Sequence, residues 1–357
     1  MSETRQVHPA LRTRATELFG VDYPIVQTGM GNVSDARLTA ATANAGGLGI
    51  LAAGLLTYEE LTAAIDEIQA ATDKPFGVNV RANQPDVHKR IDLMISAGVK
   101  VASFALAPKQ DLIAKCKDAG LVVMPSIGAR RHAEKVAQWG ADAVIVQGGE
   151  GGGHTGQVPT SLLLPQVVDA TDLVVIGAGG YFDGRGLVSA LAYGAGGIAM
   201  GTRFMLTAES PVTQSVKDVY LTKSVDDTVL TTQVDGIPQR VVRTGPVEEL
   251  ERSGRAGRLL RAASNARAFQ KLSGARWRDM VGEGVAMHRG GDLTWSQVVM
   301  AANAPMLYRT ALLDGNPEAG VMATGQVVGM IDDLPSCEEL VSRIVREASE
   351  VLERFGA

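Results

Sequence analysis

Asp142-Ala143-Val144-Ile145-Val146-Gln147-Gly148-Gly149-Glu150-Gly151-Gly152-Gly153-His154-Thr155-Gly156 is an apolar, strand-like run that empties into a loop of six glycines around one histidine. A continuous aliphatic run of this length reads as a strand buried on both faces, the kind found in parallel sheets. Glycine costs backbone entropy and offers no side chain. So dense a cluster at a strand's end therefore reads as backbone brought close to a ligand, with a flexible turn as the plainer alternative. His154 is the imidazole set in that loop, and imidazole changes charge near neutral pH.

Outward from this unit the same rhythm recurs. Candidate strands are Pro24–Thr28, Leu48–Ala52, Phe76–Val80, Val101–Ala105, Val122–Ser126, Ala143–Gln147, Val174–Ala178 and Ile198–Gly201. Segments with helical periodicity lie between them: Leu61, Ile65 and Ile68 share one face, and Leu112, Ile113 and Cys116 share another. Eight such repeats predict a TIM (β/α)8 barrel, an α/β fold whose active site lies in the loops after the strands. A doubly wound sheet is the alternative, but it needs a reversal of strand order that sequence does not display.

The 357 residues are enough for a large core, and 45% hydrophobic content with only 4% aromatics and 41 glycines suits an α/β enzyme built on small-residue packing. A formal charge of −5 argues against a coat for nucleic acid or an anionic membrane. Cys116 and Cys337 lie far apart without metal-ligand spacing, so no metal site is expected and a reducing cytoplasm is the expected compartment. No apolar run has the length of a membrane helix, and Glu3, Arg5 and His8 break any signal-peptide core.

After about Ser210 the rhythm stops. The reading is a barrel over 1–211, a mainly helical, arginine-rich appended domain over 212–309, and a C-terminal segment over 310–357. That last segment carries a helix from about Cys337 to Phe355, opened by Pro335-Ser336. Between Arg240 and Arg278 nine arginines and one lysine face three glutamates, a net +7 against −12 elsewhere. Such a run is either a solvated helical face or a wall for a polyanionic ligand, with Arg252, Arg255, Arg258 and Arg261 as the candidate contacts.

Two further glycine-bearing strand ends carry chemistry. Ala178-Gly179-Gly180 and Gly201-Thr202 follow the seventh and eighth strands. Backbone N–H groups at such ends, with a following helix N-terminus, can cradle a phosphate; ordinary tight turns are the alternative. Gln27 and Asn79 stand at the ends of apolar strands, where an amide needs a polar partner such as the edge of a flavin or a neighbouring loop. Met30 is core filler or a seat for a flat ring.

In order along the chain, Pro24-Ile25-Val26-Gln27-Thr28-Gly29-Met30, Ala45-Gly46-Gly47-Leu48-Gly49, Phe76-Gly77-Val78-Asn79, the run Gln147 to His154, Ala178-Gly179-Gly180 and Gly201-Thr202-Arg203-Phe204 resemble the nitronate monooxygenase family of flavoproteins. The likeness covers about Pro24 to Ser210, and the segment Gly325 to Asp333 is similar too. The resemblance implies an FMN-binding barrel. It implies that Gln27, Gly29, Met30, Asn79, Gln147, Gly148, Gly153, Ala178, Gly179, Gly180, Gly201 and Thr202 contact FMN, with His154 as base and Asn79 beside it in catalysis.

Val101 to Gln110, Gly149 to Gly153 and Leu293-Thr294-Trp295-Ser296-Gln297 are similar to the branch of the family that oxidises coenzyme A thioesters of the C/D-ring indane remnant in bacterial steroid catabolism. That branch implies an FMN-dependent dehydrogenase that introduces a C=C bond into an acyl-CoA, with a homodimer as a candidate assembly. Nitronate oxidation with dioxygen is the alternative. Nitronate-oxidising relatives often carry a lysine at the end of the fifth strand, where this chain has Ser126, and that departure speaks against it. A protein that holds FMN or coenzyme A without turnover is the alternative of another class.

Overall fold

The computed structural model describes residues 7–105, 108–252 and 295–356. Strands β1 (Ile25–Gln27), β2 (Leu48–Ala52), β3 (Gly77–Val80), β4 (Val101–Phe104), β5 (Val122–Ile127), β6 (Ala143–Gln147), β8 (Val174–Ala178) and β9 (Gly197–Met200) form a closed barrel in chain order. Every neighbour is parallel, and closure is made by β1 on β9, with Ile25 opposite Ile198 and Gln27 opposite Met200. The eight candidate strands and the barrel are therefore observed, with ends differing by one residue.

Both faces of each strand are buried, which explains the unbroken apolar runs. Ala143 and Ile145 point into the barrel with Val26, Ile50, Val101, Met124 and Ile176, and Phe19 of the N-terminal helix Arg14–Phe19 packs with this interior set. Val144 and Val146 point outward, among Val78, Val123, Leu163 and Leu164. Helix Tyr58–Ala71 shows how a segment comes to cover the barrel. Thr57 and Glu60 form a reciprocal capping box at its start, and Leu61, Ile65 and Ile68 are buried on one face. Each such side chain contributes about 1.5–3 kcal/mol by leaving water.

The C-terminal helix Cys337–Arg354, capped by Ser336, lies against helices Ala36–Asn44 and Gly184–Ala192. Close contact with the second is possible because residue 184 is glycine: an added Cβ would sit 2.3 Å from the Ala348 nitrogen. The Gly184 N–H donates to Glu347 Oε2 at 2.9 Å.

Beyond the barrel, strands β10 (Thr228–Thr231) and β11 (Gln239–Val242) pair antiparallel, and β11 also pairs with β7 (Gly153–His154) in the glycine loop. The sequence reading placed no strands there. The pairs are short and their side chains are mixed in polarity, so they carry no long apolar run to mark them. Asp235-Gly236 between them is the turn signal that could have found the hairpin. Arg255, Arg258 and Arg261 lie outside the described residues.

Candidate active site

The loops at the C-terminal ends of β1, β3, β6, β8 and β9 bring most of the sequence candidates to one rim. The glycine loop after β6 is built largely by its own chain. Gln147 donates from Nε2 to the Gly152 and His154 carbonyls, each at 3.0 Å. Glu150 turns back to accept from the Thr160 N–H at 2.9 Å and from Thr160 Oγ1 at 2.7 Å. Arg240 on β11 donates from Nε and Nη2 to the Gly149 carbonyl at 3.1 and 2.9 Å. Burial pulls the Arg240 pKa down, with the Glu150 carboxylate opposing the shift.

Several of these glycines are required by protein packing. A Cβ on Gly148 would fall 2.1 Å from Thr160 Oγ1, and one on Gly152 would fall 2.5 Å from the Thr324 carbonyl carbon and 2.6 Å from the Gly325 nitrogen. Reading the whole cluster as backbone bared for a ligand is thus corrected: at 148 and 152 the space is already filled by the chain. Gly153 differs, having φ 64° and no atom within 4 Å of where its Cβ would lie.

On the facing side, Gly179 and Gly180 have φ of 102° and 82°, conformations that L side chains rarely adopt. Their N–H groups donate to no partner among the described residues. Ala178 before them is buried. Gly201 precedes the short helix Thr202–Met205, and a Cβ there would be 3.4 Å from Met30 Sδ. Gly29 abuts Asn79, whose Cβ would be 2.6 Å from a Cβ added at 29. Asn79 is buried and donates from Nδ2 to Ser103 Oγ at 2.9 Å, across the register pair between β3 and β4.

Gln27 does not reach the rim. Its side chain is fully buried, Nε2 donates to Ser34 Oγ at 2.7 Å, and Oε1 accepts from the Ile50 N–H at 3.3 Å. Its role as a side-chain contact to a cofactor is corrected to one of joining β1, β2 and the turn after β1. The Thr202 hydroxyl is likewise engaged, accepting from the Gly325 N–H at 2.9 Å. Gln326 N–H donates to the Glu150 carbonyl at 2.9 Å, so the late segment closes over both glycine loops. Its far end is held by Asp333, which accepts from Arg203 at 2.9 Å and from Arg343 at 2.6 Å. Those two guanidinium groups hold the Asp333 carboxyl below its ordinary range, Arg343 most strongly.

His154 is exposed, and its Nε2 meets Oδ2 of the buried Asp235 at 2.5 Å. The other oxygen, Oδ1, accepts from the Ile237 N–H at 3.0 Å. Below this pair Tyr308, on helix Trp295–Leu312, donates to Gln239 Oε1. Burial first, then the Asp235 charge, pushes the Tyr308 phenol above its ordinary pKa. Asp235, Arg240 and Tyr308 were not among the sequence candidates. Arg252 was, but it stands exposed and paired with Glu248 at 3.2 Å, its neighbour one helical turn back. Among the described residues no cluster of histidine, cysteine or carboxylate could hold a metal ion, and no helix is long and apolar enough to cross a membrane.

A closed parallel barrel with a histidine–carboxylate pair and glycine turns on its C-terminal rim defines a (β/α)8 enzyme. Residues 12–347 match the family model described as nitronate monooxygenase, and the chain belongs to that family of oxidoreductases. It is 60% identical over 350 residues to a Mycobacterium tuberculosis protein named (3aS,4S,5R,7aS)-5-hydroxy-7a-methyl-1-oxo-octahydro-1H-indene-4-carboxyl-CoA dehydrogenase, covering 97% of this chain and 99% of the relative. A Rhodococcus jostii protein of the same name is 58% identical over 347 residues, covering 97% of this chain and 98% of the relative. Among solved structures, a mutant of FabK from Thermotoga maritima superposes with a TM-score of 0.79 at 31% identity, covering 97% of this chain and 99% of that one.

Proposed function

We propose that this chain is an FMN-dependent dehydrogenase that introduces a C=C bond into a steroid-derived C/D-ring indane acyl-CoA thioester. The observation that carries the reading is identity of 58–60% along nearly the whole chain to proteins named for that substrate class. The rim fits the cofactor. The left-handed Gly179 and Gly180, with their undonated N–H groups, and the backbone of Gly201 and Thr202 suit a phosphate dianion. Met30, Gly29, Asn79, Gln147 and Gly153 are the residues that would hold the ring. A bound flavin supplies the electron acceptor that protein side chains lack.

The chain's own residues do the rest. His154 takes the acidic proton next to a carbonyl, and Gly153 before it adds no side chain to obstruct its approach. Asn79, fixed by Ser103, presents a polar group at an otherwise apolar strand end. The late segment Gly325 to Asp333, tied to Thr202 and Glu150, excludes water from the phosphate side. The arginines at 255, 258 and 261 are proposed to meet the phosphates of coenzyme A.

Anaerobic mixing with the thioester while flavin absorbance is followed tests the reading. Bleaching by the thioester supports it. Bleaching by an alkyl nitronate alone would instead identify a nitronate oxidase, and bleaching by neither would leave a binding protein. His154→Ala should keep the yellow cofactor and lose at least about 100-fold in bleaching rate.

A further inference from the structure

Asp235 lies 81 residues from His154 in the chain, yet it is the one charged group that bonds the imidazole among the described residues. It is 5% exposed, and its two oxygens have separate duties: Oδ1 accepts the Ile237 N–H at 3.0 Å and Oδ2 faces His154 Nε2 at 2.5 Å. An ionised carboxylate only accepts hydrogen bonds, so a neutral His154 facing it must carry its proton on Nε2. Nδ1 has no partner within the described chain. We infer that Asp235 is a positioning residue that fixes the tautomer of His154, making Nδ1 the nitrogen that receives the substrate proton. The inference rests on His154 being the base in the proposed reaction.

The surroundings enforce this orientation. The His154 backbone is held by β11, where Gln239 is its register partner, and the Thr155 N–H donates to the Pro238 carbonyl at 3.2 Å. Two further titratable groups flank the pair. The Tyr308 phenol, on the helix packed below, stays protonated because burial and Asp235 both raise its pKa. Arg240, beside Gln239 on β11, has its guanidinium spent on the Gly149 carbonyl and Thr228 Oγ1. When Nδ1 takes the proton, Asp235 faces an imidazolium, and the developing charge has a buried counter-ion already in place.

The Ile237 N–H makes the inference sharply testable. In Asp235→Asn the amide oxygen stays on that N–H, so the amide NH2 faces Nε2 and demands a lone pair there. The proton then moves to Nδ1 and the base is lost, although shape and volume hardly change.

Two readouts decide the matter. Long-range 1H–15N NMR of the histidine-labelled protein at about pH 9, above the ordinary imidazole range, with His154 assigned by its loss in His154→Gln, should show Nε2 protonated in wild type and Nδ1 protonated in Asp235→Asn. The reduction rate constant of Asp235→Asn should fall by about 100-fold or more with little change in the thioester concentration giving half-maximal rate. An Nδ1-protonated His154 in wild type overturns the inference without any variant. So does a variant with wild-type tautomer and rate. If the thioester fails to bleach even the wild type, the proposed function falls while the NMR result still judges Asp235.

Discussion

Gly152→Ala tests the claim that the glycine loop is shaped by contact with the late segment of the chain. The added Cβ would lie 2.5 Å from the Thr324 carbonyl carbon, 2.6 Å from the Gly325 nitrogen and 3.0 Å from Thr324 Cα, all of them backbone. Backbone cannot swing aside as a flexible side chain does, so the segment must move outward. It carries the Gly325 N–H bond to Thr202 Oγ1 and the Gln326 N–H bond to the Glu150 carbonyl, both 2.9 Å. Losing both costs about 2 kcal/mol, and retaining them under strain costs about 1–3 kcal/mol, so the cost lies at about 1–3 kcal/mol by either route. For 357 residues the unfolding entropy is about 0.75 kcal/mol/K, and Tm should fall by about 1–4 °C.

The assay is thermal unfolding by circular dichroism beside Gly153→Ala. The second site has open space but a φ of 64°, so its cost is backbone strain alone, about 1–2 kcal/mol. A Gly152→Ala protein that melts with wild type would refute the packing argument.

Asp333→Asn should lower Tm at neutral pH by removing the carboxylate between the buried Arg203 and the half-buried Arg343. Because the folded Asp333 pKa lies below its unfolded value, its stabilisation is complete above about pH 4 and fades as pH falls through the folded pKa. Melting curves of the two proteins should therefore converge in acid; a gap that persists or widens there would refute the assignment. Cys116 and Cys337 are buried, and burial pushes both thiols up to about 12. A disulfide reagent at about pH 8 should therefore label neither in the native protein and both after unfolding; rapid native labelling would contradict their burial.

The barrel was legible because its cause is local. A parallel strand buried on both faces is apolar along nearly its whole length, and the runs at 48–52, 143–147 and 174–178 agree with the observed strands to the residue. The caps were legible for the same reason, as at Ser336 before the last helix. The hairpin of β10 and β11 was not, since four-residue strands of mixed polarity look like loop. The glycine loop was half legible. Its sequence marked the place, but could not say that Thr160 and Thr324 occupy the space at Gly148 and Gly152. Gln27 misled because a strand-end amide has the same sequence signature whether it turns outward to a ligand or inward to Ser34 and Ile50.

By itself, then, the order of residues determined the repeating strand–helix unit, the glycine-rich strand ends and the histidine among them, all of which depend on neighbours a few positions away. Tertiary structure alone decided that β1 closes on β9, that Asp235 stands behind His154, and that the late segment locks onto Thr202 and Glu150. Those contacts join residues tens to hundreds of positions apart. They exist because closing the barrel brings every strand end to one rim, where burial leaves each polar group only the partners that the fold delivers.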